Sequence, residues 1–319
     1  MISRVAESCF WLGRYIERVE TVARVASVNR FTVLDADIIR ADRWKPVIAG
    51  MGQAAHFEAT LGAKAYNSDA KAEKYLAFDE ANDVSIRTSL HWVRENARTT
   101  REVISREMWE TINTFWQWYT STAASKQFRS DRVLFYQTTR EFCAQLHGTG
   151  TNTMLHEEPL DFLQLGTALE RASQTVRCLG IKHYWRARSR TTNTESPEES
   201  AQWVAALRLC AAVEPFYKCN PSAPTGKRVT RFLLQHPTFP RSVRHGVRTC
   251  RESLQRIDRG AGRRGTSASL GMARELEGFL KSLSISSDEV TQRHEPLGAR
   301  LGALGEQIGS DYFDHGPRP

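Results

Sequence analysis

Two acid–base dipeptides hold the most chemical potential in this chain, Glu17-Arg18 and Glu170-Arg171. Neighbours on a helix diverge by about 100°, so neither Glu can pair with its own Arg and each needs a partner elsewhere. Glu17 shares a helix face with Arg14, Thr21 and Arg24, and Glu170 shares one with Arg177. Two readings stay open. In one, the pairs are reciprocal, Glu17 with Arg171 and Glu170 with Arg18, and join two helices, so that deleting one buried partner costs about 3–5 kcal/mol. In the other, the same carboxylates and guanidiniums line a pocket for a zwitterionic amino acid or peptide.

A second charged set repeats as well. Arg98, Arg101 and Glu102 match Arg248, Arg251 and Glu252. Arg98 with Glu102, and Arg248 with Glu252, stand one helical turn apart and can form surface pairs worth about 0.3–0.5 kcal/mol each. A carboxylate- or phosphate-binding role is the alternative.

Signatures of other chemistries are missing. No Glu-x-x-His or His-Glu-x-x-His occurs, and the six cysteines lack zinc spacing. Gly226-Lys227 lacks the rest of a phosphate loop, and Gly-x-Ser-x-Gly is absent. His156-Glu157-Glu158 reads as a helix entry, where acids suit the dipole. No cofactor or metal is expected, and no residue can be assigned as catalytic. Scattered cysteines in a chain of 319 residues read as reduced cytosolic thiols, which points to the cytoplasm. No signal peptide and no apolar run of about 18 residues is seen, so no membrane association is expected.

Net charge is +8, and it is concentrated. Residues 226–265 hold eleven Lys/Arg against two acids, a local +9 that leaves the remainder at −1. Arg241, Arg244, Arg256, Arg259, Arg263 and Arg264 form a candidate docking strip within it. Such a strip suits an acidic protein face or nucleic acid. Poor aromatic interleaving, with Phe232 and Phe239 alone, argues against nucleic acid.

The elements that must position these residues are helices. Ile2, Val5, Cys9, Leu12, Ile16, Val19, Ala23 and Ala26 recur at steps of three and four, with Ser3 as N-cap. Phe10, Trp11 and Tyr15 lie off that stripe, which places this helix centrally. Helical periodicity returns at roughly 84–125, 131–147, 159–187, 199–217, 227–236, 241–258 and 268–283. Breaks are expected at 44–52, 147–153, 191–197, 215–226, 237–240 and 260–265. In the aromatic run, Trp109, Ile112, Trp116 and Tyr119 share one face and should be buried. Hydrophobic residues at 40% and charged residues at 25%, with few strand signals, give an all-α fold and exclude fibrous, disordered and membrane-bundle classes.

The chain also repeats. Leu12-Gly13, Glu17-Arg18 and Arg24 recur as Leu165-Gly166, Glu170-Arg171 and Arg177, all 153 residues on. This suggests a helical bundle of two pseudo-symmetric duplicated halves, about 1–150 and 151–285, followed by a C-terminal tail at 286–319.

Ser3-Arg4-Val5-Ala6-Glu7, followed by Trp11-Leu12-Gly13-Arg14-Tyr15-Ile16-Glu17-Arg18, resembles the signature of the bacterial alpha-E family, named for an α-helical domain with a Glu-Arg motif. Glu95-Asn96-Ala97-Arg98, Phe162-Leu163-Gln164-Leu165-Gly166 and Pro240-Arg241-Ser242-Val243 add to the resemblance, which covers about 1–285. It departs at Ser8-Cys9-Phe10, where the family more often shows Asn-Leu-Tyr, and in the basic stretch near 259–272. The resemblance implies one domain spanning 1–319, partnered by a circularly permuted ATP-grasp protein, with a transglutaminase-like protease as a further associate. It implies an accessory or interaction subunit of a peptide- or amide-bond-forming system, one that could bind the peptide substrate. The alternatives are an enzyme acting on an amino acid or peptide in a Glu/Arg-lined pocket, and a nucleic-acid-binding protein using the 226–265 strip.

Overall fold

The computed structural model describes residues 3–35, 43–188, 197–260, 262, 266–285 and 294–313. Two long helices form its axis, α1 (Ser3–Asp35) and, much later in the chain, α9 (Glu158–Arg188). The contact between these two is the most extensive in the fold. After α1 come α2 (Lys45–Gly50), α3 (Ala54–Leu61), a 3₁₀ turn (Ala63–Asn67) and α4 (Asp69–Phe78). Next are α5 (Ile86–Thr99), α6 (Arg106–Thr120), α7 (Thr122–Ser130) and α8 (Arg132–Thr153). α9 is followed by α10 (Pro197–Leu209), α11 (Val213–Cys219), α12 (Gly226–Gln235) and α13 (Val243–Gly260). The last two helices are α14 (Ala268–Ser282) and α15 (His294–Tyr312). The protein is all-α, with no strand among the described residues.

α5 and α8 flank α1, α13 and α15 flank α9, and α14 lies behind α13. The stripe seen in the sequence is the reason. Cys9, Leu12, Ile16, Val19 and Ala23 are buried on α1, and Leu165, Leu169, Ala172 and Val176 are buried on α9. Phe10 is buried as well, so α1 is covered on more than one side, as a central helix must be.

Several boundaries differ from the periodicity. The 84–125 segment is three helices, because Ser105 and Ser121 each turn a side chain onto the backbone N–H groups that open the next one. The break expected at 147–153 does not occur and α8 runs to Thr153. There the Thr151 and Thr153 hydroxyls bond back to the carbonyls of His147 and Thr149, and Gly150 lies against Met108. Residues 45–50, expected as a break, form α2, with Pro46 at the helix start where its missing N–H costs nothing. The break at 215–226 begins later than expected, since α11 carries Pro215 in its first turn. The break at 191–197 falls outside the described residues up to 196. In α6 the buried face is Met108, Thr111, Ile112, Phe115 and Tyr119, while Trp109 and Trp116 are only half-buried.

The stretch 286–319, expected as a tail, contains α15. Leu297, Leu301, Leu304 and Ile308 are buried along it at steps of four, three and four. The many glycines between them mask that pattern in the sequence.

Candidate functional site

The site begins where α1 crosses α9. A Cβ on Gly13 would collide with the backbone oxygen of Leu163, and one on Gly166 would collide with that of Phe10. Gly13 and Gly166 lie 153 residues apart, as do Phe10 and Leu163, so the contact is reciprocal and the backbone of each helix fills the space that a side chain on the other would take. Only glycine allows backbones this close. One turn further along each helix stand Glu17 and Glu170, both with no exposed surface.

The close approach delivers each carboxylate to the opposite helix. Arg171 donates from Nε to Glu17 Oε1 at 3.0 Å, and its Nη2 bonds the same oxygen. Arg18 donates from Nε and Nη2 to the two oxygens of Glu170 at 3.1 and 3.3 Å. The Glu17–Arg171 and Glu170–Arg18 pairs are therefore both formed, as a double clasp between α1 and α9. Further groups saturate it. Arg14 Nε donates to Glu170 Oε2 at 2.8 Å, and Gln174 adds a bond to Oε1 at 2.8 Å. On the other side His147 Nε2 lies 3.0 Å from Glu17 Oε1. Arg241 spans Glu17 Oε2 at 3.4 Å and Glu20 Oε2 at 2.9 Å.

The electrostatics follow from this crowding. Burial pushes a carboxyl up, but the guanidiniums of Arg171 and Arg241, with His147 close by, hold Glu17 well below its ordinary range. At Glu170 the push from burial is outweighed by Arg18 and Arg14, which bring the carboxyl down to about 2. A general base works best with a pKa near the operating pH. These two carboxylates are instead fixed negative charges, suited to holding cations rather than moving protons.

Beside the clasp, α1, α9 and α15 enclose a cleft of about 790 Å³. Trp11 and Arg14 line it from α1, Ser173 and Arg177 from α9, and Glu306 and Phe313 from the end of the chain. Gly298, Gly302, Gly305 and Gly309 form the α15 wall. Arg14 stacks over Trp11, 4.6 Å from the ring centre, and turns Nη1 toward Gly305. Arg177 forms no hydrogen bond or ion pair among the described residues. Its side chain is exposed to solvent, with the charges of Arg14, Arg18 and Glu170 nearby.

The family model that matches is Alpha-E, described as a predicted alpha-helical domain with a conserved ER motif, over residues 1–313. The chain belongs to the Alpha-E family. No curated protein and no solved structure gives a significant match. In this Alpha-E chain the Glu-Arg dipeptide occurs twice, and both copies form the clasp.

The remaining sequence-predicted residues divide. Arg24 does not join Glu17; it bonds Glu20 one turn before it. Arg98 and Glu102 are not one turn apart on a helix, because α5 ends at Thr99 and the Thr100 hydroxyl closes it on the Asn96 carbonyl. Arg98 instead pairs with Glu95 at 2.7 Å, and Arg101 stacks on Trp109 at 4.5 Å. Arg248 does reach Glu252, at 3.7 Å, while Arg251 meets Glu277 at 2.7 Å. This second motif forms no shared pocket.

The candidate docking strip divides as well. Arg241 points inward, with 17% of its side chain exposed, because Glu17 and Glu20 claim it. Arg256 is bonded to Asp161 at 2.6 Å, and Arg244 to the Gln235 carbonyl at 3.3 Å. Arg259 is exposed, while Arg263 and Arg264 lie outside the described residues. Lys227, Arg228 and Arg231 of the wider basic stretch are exposed, as is Arg256 despite its bond to Asp161.

Other polar groups were not apparent in the sequence. Lys182 is fully buried on α9, where it bonds Glu199 at 3.1 Å and Gln202 at 2.9 Å and lies over Trp203. Its only signal is a lysine inside the apolar run Cys178–Trp185. Cys219 and His236 approach to 3.5 Å and suggest a nucleophile with its base. Yet His236 Nδ1 accepts backbone N–H bonds from Thr238 and Phe239, so a neutral ring carries its proton on Nε2, facing the sulfur. In that form it cannot take the thiol proton. Among the described residues no helix is long and apolar enough to cross a membrane, and no group of three His, Cys, Asp or Glu could hold a metal ion.

Proposed function

We propose that this Alpha-E protein is an accessory subunit that holds the substrate of an ATP-grasp-associated system forming peptide or amide bonds, and that its Glu-Arg motif is the scaffold rather than the reacting centre. The observation that carries this reading is the saturation of the motif. Glu17 and Glu170 are buried, fixed in charge and met by arginines of the same chain. A motif occupied in this way has no free base to offer an enzyme mechanism. The cleft beside it, with one spare guanidinium, supports a holding role. A circularly permuted ATP-grasp protein then supplies the activation chemistry, and a transglutaminase-like protease is the further associate.

The test is affinity capture of the tagged full chain from its native cell at low salt. Co-purification of an ATP-grasp protein, with no turnover of candidate peptides by the isolated chain, is the expected result. Turnover by the isolated chain that Glu17→Gln abolishes without lowering thermal stability would overturn the reading. The nucleic-acid alternative is the weaker reading, because three of the strip's eleven basic residues, Arg241, Arg251 and Arg256, pair with Glu17, Glu20, Glu277 and Asp161.

A further inference from the structure

The cleft between α1, α9 and α15 has a chemistry that the clasp does not use. Arg177 faces it with no hydrogen-bonding partner. Its positive neighbours, Arg14 and Arg18, have only Glu170 between them. The reason for the surplus is visible in register. On α1, Glu20 stands four residues before Arg24 and bonds it. The positions 153 residues later are Ser173 and Arg177, and Ser173 spends its hydroxyl on the Leu169 carbonyl. An arginine that is neutralised in one helix is left open in the other, and an anion entering the cleft would complete it.

The rest of the lining constrains that anion. Trp11 and Phe313 offer apolar faces, while Ser310 and Glu306 offer acceptors from α15. With half-buried Glu7 also in the lining beside exposed Glu306, the cleft presents more than one carboxylate, which the N–H donors of a peptide can meet and a hydrocarbon chain cannot. At about 790 Å³ the cleft exceeds what one amino acid fills and lies within the usual range for small-ligand sites, about 300–1,000 Å³. We propose that this cleft binds the C-terminal end of a short peptide, with its free carboxylate on Arg177, its apolar side chains against Trp11 and Phe313, and its N–H donors toward Glu306. Arg177 and a carboxylate match as a planar fork to two oxygens. The proposal deepens the substrate-holding reading and rests on it for the identity of the peptide as substrate, while binding is measured on the chain alone.

The experiment is native mass spectrometry of the full chain with a mixed tripeptide library, once as free acids and once as C-terminal amides. Free acids should be retained and amides lost. Arg177→Gln should lower retention roughly ten- to a hundredfold, and Ser173→Glu should do the same by restoring the acid that the register lacks. Gly302→Leu should block the cleft without unfolding the chain, because a Cβ at Gly302 meets nothing within 4 Å. A melting curve on each variant confirms folding. Equal retention of acids and amides, no retention of either, or unchanged retention in Arg177→Gln would overturn the proposal. A chain that captures an ATP-grasp partner yet holds no free-acid peptide overturns the cleft assignment alone. One that holds peptide yet captures no such partner overturns the accessory reading alone.

Discussion

The two ends of the clasp use the same motif to different ends. At the Glu17 end Arg171 and Arg241 meet Glu17, and Arg24 and Arg241 meet Glu20. At the Glu170 end Arg14 and Arg18 are answered by one carboxylate and Arg177 by none. What closes the first end is Arg241, which arrives just ahead of α13, together with His147 from α8. What covers the second is a helix whose facing positions are glycines, and it leaves a cleft. A repeated helix crossing thus becomes a lock on one side and a cavity on the other, decided by one missing acid and one side-chain-poor helix.

That contrast can be broken most forcefully at its charges. Glu17→Gln should cost about 3–5 kcal/mol, because it strands the two arginines that converge on a buried position, as measured by denaturant unfolding. Glu170→Gln should lose a similar amount and also alter the acid limb. The folded-state pKa of Glu170 lies near 2, below its unfolded value, so its stabilisation is present above about pH 4.5 and disappears as pH falls toward 2. The difference corresponds to about 3 kcal/mol, and acid titration followed by circular dichroism should show a flatter acid limb in the variant.

Glu73 supplies the opposite sign. Burial raises its carboxyl to about 7 despite Arg132 and Arg30, so its contribution declines as pH rises from about 4.5 to 7. Above that range Glu73→Gln should be far milder than either clasp variant, and melting curves at pH 5 and pH 8 would expose the reversal. Next in size is Gly166→Ala, which forces the helices apart at the crossing and should cost about 1–3 kcal/mol. The smallest effect is Ser173→Glu, expected to gain about 0.3–0.5 kcal/mol through a new pair with Arg177.

Much of the architecture was legible because the apolar steps on α1 and α9 survive at full strength, and the motif spacing of 153 carried the reciprocal pairing with it. Arg14 was less legible. On its own helix it shares a face with Glu17, yet it crosses to Glu170, a choice set by the approach of Gly13 and Gly166. Arg241 read as surface charge because one-dimensional charge counting cannot see two buried acids 221 and 224 residues upstream. The cleft could not be read at all. It depends on α15, whose glycines resemble a linker until Leu297, Leu301, Leu304 and Ile308 are seen to pack.

The division of labour between paired and spare arginines is tested most directly by comparing the melting temperatures of Arg171→Gln and Arg177→Gln. Arg171→Gln should melt well below the parent chain, since it leaves buried Glu17 short of its partner, while Arg177→Gln should melt with the parent, having no pair to lose. Equal losses in the two variants would contradict it, placing Arg177 in the scaffold and removing the spare charge from the cleft.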